Sequence, residues 1–163
     1  VKRLLIVWHS HTGGAEQMAQ AAAEGATRAG EVQVQLRHAP AADAAALCAA
    51  DGFIFVTPEN LASMSGLMKD FFDRSYYGAL DRVQGRPYAL LVCAGSDGTG
   101  AVRQLERIAT GLRLRRVAEP IIVLTQAQTP AEILAPKQIA AADQARCRDL
   151  GAALAAGLAT GVF

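Results

Sequence analysis

Ser10-His11-Thr12-Gly13-Gly14-Ala15 sets two hydroxyls and a pair of glycines directly before a segment of helical period. The first N–H groups of a helix are unpaired, the helix dipole favours negative charge, and Ser and Thr donate hydrogen bonds without bulk, so this pattern suits a phosphate. A capped turn uses the same residue types, and the loop alone admits both readings. Other phosphate signatures exclude themselves. GxxxxGK[ST] is absent, and Gly98-Thr99-Gly100 lacks the third glycine of a dinucleotide fingerprint. None of Cys48, Cys93 and Cys147 is followed six positions later by the Arg of a cysteine phosphatase, and no carboxylates cluster after the first apolar run to hold a metal. The three cysteines have no zinc-ligand spacing and no even pairing, which excludes a metal site and a disulfide framework and fits a reducing cytoplasm. His9 and His11 invite acid–base chemistry, but a strand-end residue and a loop donor describe them more simply. Cys93 reads as a core residue, without a cationic neighbour or a resolving thiol in sequence.

These residues need a scaffold, and the rest of the chain describes one. Apolar runs at Leu4–Trp8, Val32–Leu36, Phe53–Val56, Tyr88–Ala94 and Ile121–Leu124 suit strands buried on both faces of a parallel sheet. Between them lie helical stripes. Met18, Ala19, Ala22, Ala23 and Ala26 share one face; Leu67, Met68, Phe71, Phe72 and Tyr76 another, with Lys69 able to pair Asp73 and Asp70 able to pair Arg74. Val102, Leu105, Ile108, Ala109 and Leu112 form a further stripe, Ile139–Leu158 a long final helix, and Asp43–Ala50 a short one. Strands alternating with helices over 163 residues predict one α/β domain spanning 1–163 with right-handed crossovers. Sixteen basic against fifteen acidic residues, net +1, argue against a nucleic-acid partner. The apolar run after Lys2-Arg3 is too short for a signal peptide or a membrane span, so no membrane partner is expected. In such a sheet the ligand sits beyond the carboxyl ends of the strands, which singles out three loops.

The second of these loops, Thr57-Pro58-Glu59-Asn60-Leu61-Ala62-Ser63-Met64-Ser65-Gly66, continues into Leu67-Met68-Lys69-Asp70-Phe71-Phe72-Asp73-Arg74. Thr-Pro-Glu-Asn, then Ser-Gly, then Lys, Phe and Asp-Arg resembles the flavin-binding loop of the flavodoxin-like NAD(P)H-dependent FMN reductases and quinone reductases. The first loop is similar to the flavodoxin phosphate pattern, and Ala94-Gly95-Ser96-Asp97-Gly98-Thr99-Gly100 to the glycine-rich loop of the same reductases. The resemblance covers nearly the whole chain. It implies a flavodoxin-like three-layer fold: a five-stranded parallel sheet in 2-1-3-4-5 order with helices on both faces, and FMN at the carboxyl edge. It assigns the phosphate to Ser10, His11, Thr12, Gly13, Gly14 and Ala15, and the isoalloxazine to Pro58, Glu59, Asn60, Leu61 and Ala62, with Gly95, Ser96, Asp97, Gly98 and Thr99 closing its other edge and Thr57 a further cofactor-binding residue of the second loop. No catalytic side chain is expected, since the chemistry belongs to the flavin. Ala15 stands where flavodoxins often carry a hydroxyl, and the aromatic often found beside Glu59 is absent. Glu59 itself reads equally as a flavin contact or as a loop-capping carboxylate.

Two functions fit the family. Electron-carrier flavodoxins stack aromatic rings on the flavin and are strongly acidic; here none of the nine aromatics lies in the three loops, and the net charge is +1. An uncovered flavin face admits a nicotinamide and then an acceptor. The expected activity is therefore hydride transfer from NAD(P)H through FMN to a quinone, flavin or other small acceptor, with an electron carrier or non-catalytic FMN module as the alternative. Tyr76 and Tyr77 are adjacent on one helix and cannot both face one core; one suits a subunit contact in a homodimer or larger homo-oligomer, and simple partial exposure accounts for it equally well.

Overall fold

Leu4, Leu5, Ile6 and Val7 are all inaccessible to solvent, which a strand achieves only when helices cover both of its faces. A computed structural model describes residues 1–163. The elements are β1 (Lys2–Trp8), α1 (Gly14–Ala29), β2 (Val32–His38), a 3-10 turn (Ala39–Ala41), α2 (Ala44–Ala49), β3 (Gly52–Asn60), β4 (Ser63–Met64), α3 (Gly66–Ala79), β5 (Pro87–Ala94), α4 (Thr99–Gly111), β6 (Arg115–Arg116), β7 (Ile121–Leu124), α5 (Pro130–Leu134) and α6 (Ala141–Thr160). The sheet has seven strand segments in the order β2-β1-β3-β5-β6, with β4 paired to β3 and β7 paired to β5.

Two local features turn the expected five strands into seven. First, β3 runs past its apolar part to Asn60 and doubles back antiparallel as β4, pairing Glu59 with Met64 and Asn60 with Ser63. Second, the last strand is interrupted: Arg115–Arg116 pair with Pro87–Tyr88, Ile121–Leu124 with Leu91–Ala94, and the chain between includes Pro120, which has no N–H for the ladder. With β6 and β7 counted as one interrupted edge strand and β4 as an appendage, the parallel order is the expected 2-1-3-4-5.

The two faces of the sheet are filled differently. On one, Phe53, Phe55 and Tyr88 of the strands meet Phe71 and Phe72 of α3, with Leu105 and Ala109 of α4 and Leu112 just past its end. Phe55 and Phe72 stand edge to face, 5.1 Å between centroids. Burying one such ring contributes about 1.5–3 kcal/mol. On the other face Met18, Ala19, Ala22 and Ala26 of α1 and Leu150, Leu154 and Leu158 of α6 cover Leu4, Ile6, Ile54 and Leu91 without one fully buried aromatic ring. Here α1 and α6 touch backbone to backbone. A Cβ on Gly25 would lie 1.9 Å from the Arg148 carbonyl oxygen, and one on Gly151 would lie 1.9 Å from that of Ala22.

Helix boundaries follow their caps. Ser65 caps α3, its hydroxyl accepting from Met68 N–H at 3.4 Å, and the paired charges Lys69–Asp73 and Arg74–Asp70 lie one turn apart on its exposed face. Thr129 and Glu132 form a reciprocal capping box at α5, an element absent from the sequence reading. Tyr76 packs partly into the core while Tyr77 is 84% exposed. No helix is long and apolar enough to cross a membrane.

Candidate functional site

Loop 1 leaves β1 at His9 and enters α1 at Gly14. Gly13 takes φ 95°, and its N–H donates to Ser10 Oγ at 3.0 Å, so the turn closes on itself before the helix starts. The first intrahelical bond is Gln17 N–H to Gly13 O at 3.1 Å, which leaves the N–H groups of Gly14, Ala15 and Glu16 without a partner in the chain. Thr12 adds a hydroxyl that is likewise uncommitted. Gly14 sits tightly against β5: a Cβ there would lie 2.6 Å from Cys93 Sγ. Ala15 turns its methyl into the core beneath α1 and offers only its N–H to the loop.

Loop 2 is the β3–β4 hairpin. Its turn passes through Leu61 at φ 52° and Ala62 at φ 61°, two consecutive left-handed residues, without the Asn or Gly that usually occupies such positions. Each costs of order 1–2 kcal/mol of backbone strain, held in place by α4. Gly100 sits so close that a Cβ would lie 2.2 Å from Ala62 O, and Gln104 Oε1 accepts from Ser63 Oγ and Met64 N–H, both at 2.9 Å. The Leu61 side chain is wholly exposed at the rim.

Glu59 ties loop 2 to loop 3. Its carboxylate accepts from Gly98 N–H at 2.8 Å and from Ala101 N–H at 3.1 Å, capping α4 from a neighbouring strand. Of the two roles open to Glu59, the hydrogen bonds belong to the capping one. Gly98 needs φ 91°, and any Cβ would lie 2.6 Å from Ile122 Cγ2. Asp97 accepts from Thr99 Oγ1 at 2.7 Å and Thr99 N–H at 3.2 Å; the hydroxyl first, then the N–H, hold its carboxyl below the usual range.

The three loops enclose a cavity of about 520 Å³ at the carboxyl edge of β1, β3 and β5, within the range of small-molecule sites. Ser10, His11, Thr12, Gly14 and Ala15 line it from loop 1; Pro58, Glu59, Asn60, Leu61 and Ala62 from loop 2; Gly95 and Ser96 from loop 3. No Phe, Tyr or Trp does. Five expected residues stand back from it. Gly13, Gly98 and Thr99 shape the turns, and Asp97 pairs with Thr99 at the surface. Thr57 points inward because strand side chains alternate: it is fully buried, donates to Pro58 O at 2.9 Å, and accepts from Ser65 N–H at 3.1 Å.

The sequence reading missed part of the enclosure. Cys93 and Ala94 form the floor, and a further wall comes from Thr125, Ala127, Gln128, Ile133 and Lys137, in the segment between β7 and α6. The Thr-Pro-Ala-Glu capping box at 129–132 was a legible sign of a helix there; its approach to loop 1 was not. Burial pushes the Cys93 thiol up to about 11, in keeping with a core residue. His9 is also buried, its Nδ1 2.8 Å from Ser65 Oγ, and desolvation first, then the like charges of His11 and His38, lower its pKa to about 4. It stays neutral at physiological pH and braces the start of α3, while His11 faces the cavity.

Among solved structures, an archaeal flavodoxin superposes with TM-score 0.76 at 18% identity over 96% of this chain and 98% of that one. A flavodoxin, WrbA-like protein from Agrobacterium tumefaciens superposes with TM-score 0.67 at 22% identity over 99% of both. The fold is flavodoxin-like. In sequence, an NAD(P)H dehydrogenase (quinone) from Acidithiobacillus ferrooxidans is 35% identical over 46% of this chain and 48% of its own length. A flavodoxin from Aquifex aeolicus is 30% identical over 60% of this chain and 51% of its own. The chain spans about half the length of these relatives. The sequence pattern of the NADPH-dependent FMN reductases matches residues 39–129, a stretch that contains the Glu59 hairpin, the core of β5 and the glycine loop that Glu59 caps. On this match, and with its three loops meeting at one cavity on a flavodoxin-like sheet, the chain belongs to the NADPH-dependent FMN reductase family.

Proposed function

We propose that this cavity binds FMN and that the chain transfers hydride from NAD(P)H through it to a small acceptor such as a quinone or a free flavin. The observation that carries this reading is the corner at loop 1, where three unpaired N–H groups and the Thr12 hydroxyl converge at the start of a 16-residue helix, beside a cavity without an aromatic wall. The donor set fits a phosphate. Gly14, Ala15 and Glu16 would hold it through N–H, with Ser10 and Thr12 adding hydroxyls. The Pro58–Ala62 hairpin and Gly95–Ser96 would flank the ring system, kept at a set distance by the Glu59 bonds to α4. FMN, when bound, supplies two-electron exchange with a nicotinamide and an acceptor in turn. The chain supplies placement, a water-poor floor at Cys93 and Ala94, and an open side for the nicotinamide. The three free thiols suit a reducing cytoplasm. Exposed Tyr77 is available for a homodimer contact.

The flavodoxin relatives favour a second reading, a one-electron carrier, and one experiment separates the two. FMN is titrated into the protein, and the complex is mixed with NADH or NADPH in a stopped-flow absorbance instrument. Rapid bleaching of the flavin band, followed by turnover on adding a quinone, is expected. Binding without reduction by either nucleotide would favour the carrier, and no binding at high micromolar FMN would refute both.

A further inference from the structure

The charges around the cavity are few. Glu59 is the only carboxylate lining it and is engaged by two backbone N–H groups; Lys137 is the only lining side chain with a permanent positive charge. Lys137 is fastened to the phosphate-side loop through its backbone. Its N–H donates to Thr12 O at 2.8 Å, and its carbonyl accepts from Gln17 Nε2 at 2.7 Å. Gln17 Oε1 in turn accepts from Ile139 N–H at 2.9 Å, so one side-chain amide grips residues 137–139 as a neighbouring strand would. Lys137 Cβ lies 3.5 Å from the point where a side chain on Gly14 would begin. The ammonium has no carboxylate partner. It rests on the carbonyls of Glu132 at 2.7 Å, Ile133 at 2.9 Å and Ala135 at 2.5 Å, all neutral groups at the end of the five-residue α5. Its field reaches the Gly14 corner, where it pulls the Cys93 thiol downward against the larger effect of burial.

We infer that Lys137 is a specificity-determining residue of this site: it supplies the positive charge that makes the cavity prefer a phosphorylated flavin over the same flavin without phosphate. The inference rests on the FMN reading above. A phosphate monoester at neutral pH carries about −1.5 to −2 charges, and the N–H groups of loop 1 are dipoles without net charge. The Lys137 side chain lines the same cavity, without a carboxylate partner, and its ammonium is the only full counter-charge the cavity offers the anion. The carbonyls that now hold it are weaker partners than a phosphate oxygen.

The test uses the full chain and two probes, FMN and riboflavin, titrated by quenching of flavin fluorescence at about 0.05 M and about 0.5 M salt, with wild type, Lys137→Gln and Lys137→Arg. Lys137→Gln is expected to bind FMN about 5–20-fold more weakly while riboflavin changes by less than about twofold, with Lys137→Arg keeping most of the preference. Salt should narrow the FMN-to-riboflavin gap in wild type and leave it nearly constant in Lys137→Gln. Equal weakening of both flavins would overturn the inference, because the lysine would then serve only to hold α5 in place. A Lys137→Gln variant that retains the full FMN preference overturns it too, while leaving the FMN reading intact. A wild-type protein that binds neither flavin overturns that reading together with this one, whereas one that binds both equally overturns this inference and the phosphate role of loop 1 but not FMN binding.

Discussion

Glu59→Ala tests whether this carboxylate works for the fold or for the ligand. The side chain receives two N–H groups, Gly98 at 2.8 Å and Ala101 at 3.1 Å, at the start of the 13-residue α4. Hydrogen bonds to a charged acceptor contribute about 1.5–3 kcal/mol each, and the helix-dipole term about 0.3–1 kcal/mol. Because the site borders an open cavity, water can replace part of what is lost, and we take the net cost as about 2–3 kcal/mol. For a chain of this size about 1 kcal/mol moves the melting temperature by about 2–4 °C, so a decrease of about 4–12 °C is expected. Glu59→Gln keeps one acceptor but turns an NH2 toward the second donor, and should lie about midway. Differential scanning calorimetry without added flavin reads the effect directly. FMN affinity should fall only modestly, through loosening of the Gly98 turn. An unchanged melting temperature combined with a large loss of FMN affinity would refute the argument and make Glu59 a ligand contact.

Three further predictions follow from packing and charge. His9 prefers the neutral ring in the folded state, with a pKa of about 4 against an ordinary 6.5, so its contribution is complete above about pH 6.5 and is lost as pH falls toward 4. The full difference is about 3 kcal/mol, and urea unfolding should show a shallower acid slope in His9→Gln; equal slopes would contradict the assignment. Gly151→Ala forces a Cβ to 1.9 Å from Ala22 O and should cost about 1–3 kcal/mol or more in the same assay, with unaltered stability sinking the backbone-contact account of the α1–α6 pair. Gly14→Ala brings a Cβ to 2.6 Å from Cys93 Sγ and should displace loop 1, lowering FMN affinity on the order of tenfold. Adding Cys93→Ala should recover part of that loss, and a double variant as weak as the single one would show that the thiol is not the obstacle.

The elements that carry the site were legible wherever burial was two-sided or periodicity regular. Leu4–Trp8, Phe53–Val56 and Tyr88–Ala94 read as strands because both faces are apolar, and each lies in an observed strand. The Lys69–Asp73 and Asp70–Arg74 spacing placed those residues on one exposed helix face, where they pair. The β3–β4 hairpin was not visible, because Leu61 and Ala62 carry no turn signal. Their left-handed conformation is imposed from outside, by the grip of Gly100 and Gln104 on the returning strand. Thr57 illustrates a different failure: a motif assigns a residue to a loop, while the alternation of the strand decides which way its side chain points.

The amino-acid order by itself determined the alternation of buried strands and amphipathic helices and the identity of the three loops at the sheet's carboxyl edge, since these depend on local pattern and on general rules of parallel-sheet topology. Tertiary structure alone decided what those loops are held by. Glu59 caps a helix 39 residues away, and Gln17 grips a segment 120 residues away and so brings Lys137 to loop 1. Contacts over such separations leave no periodic trace in the chain, because they arise only when independently patterned elements are packed against each other.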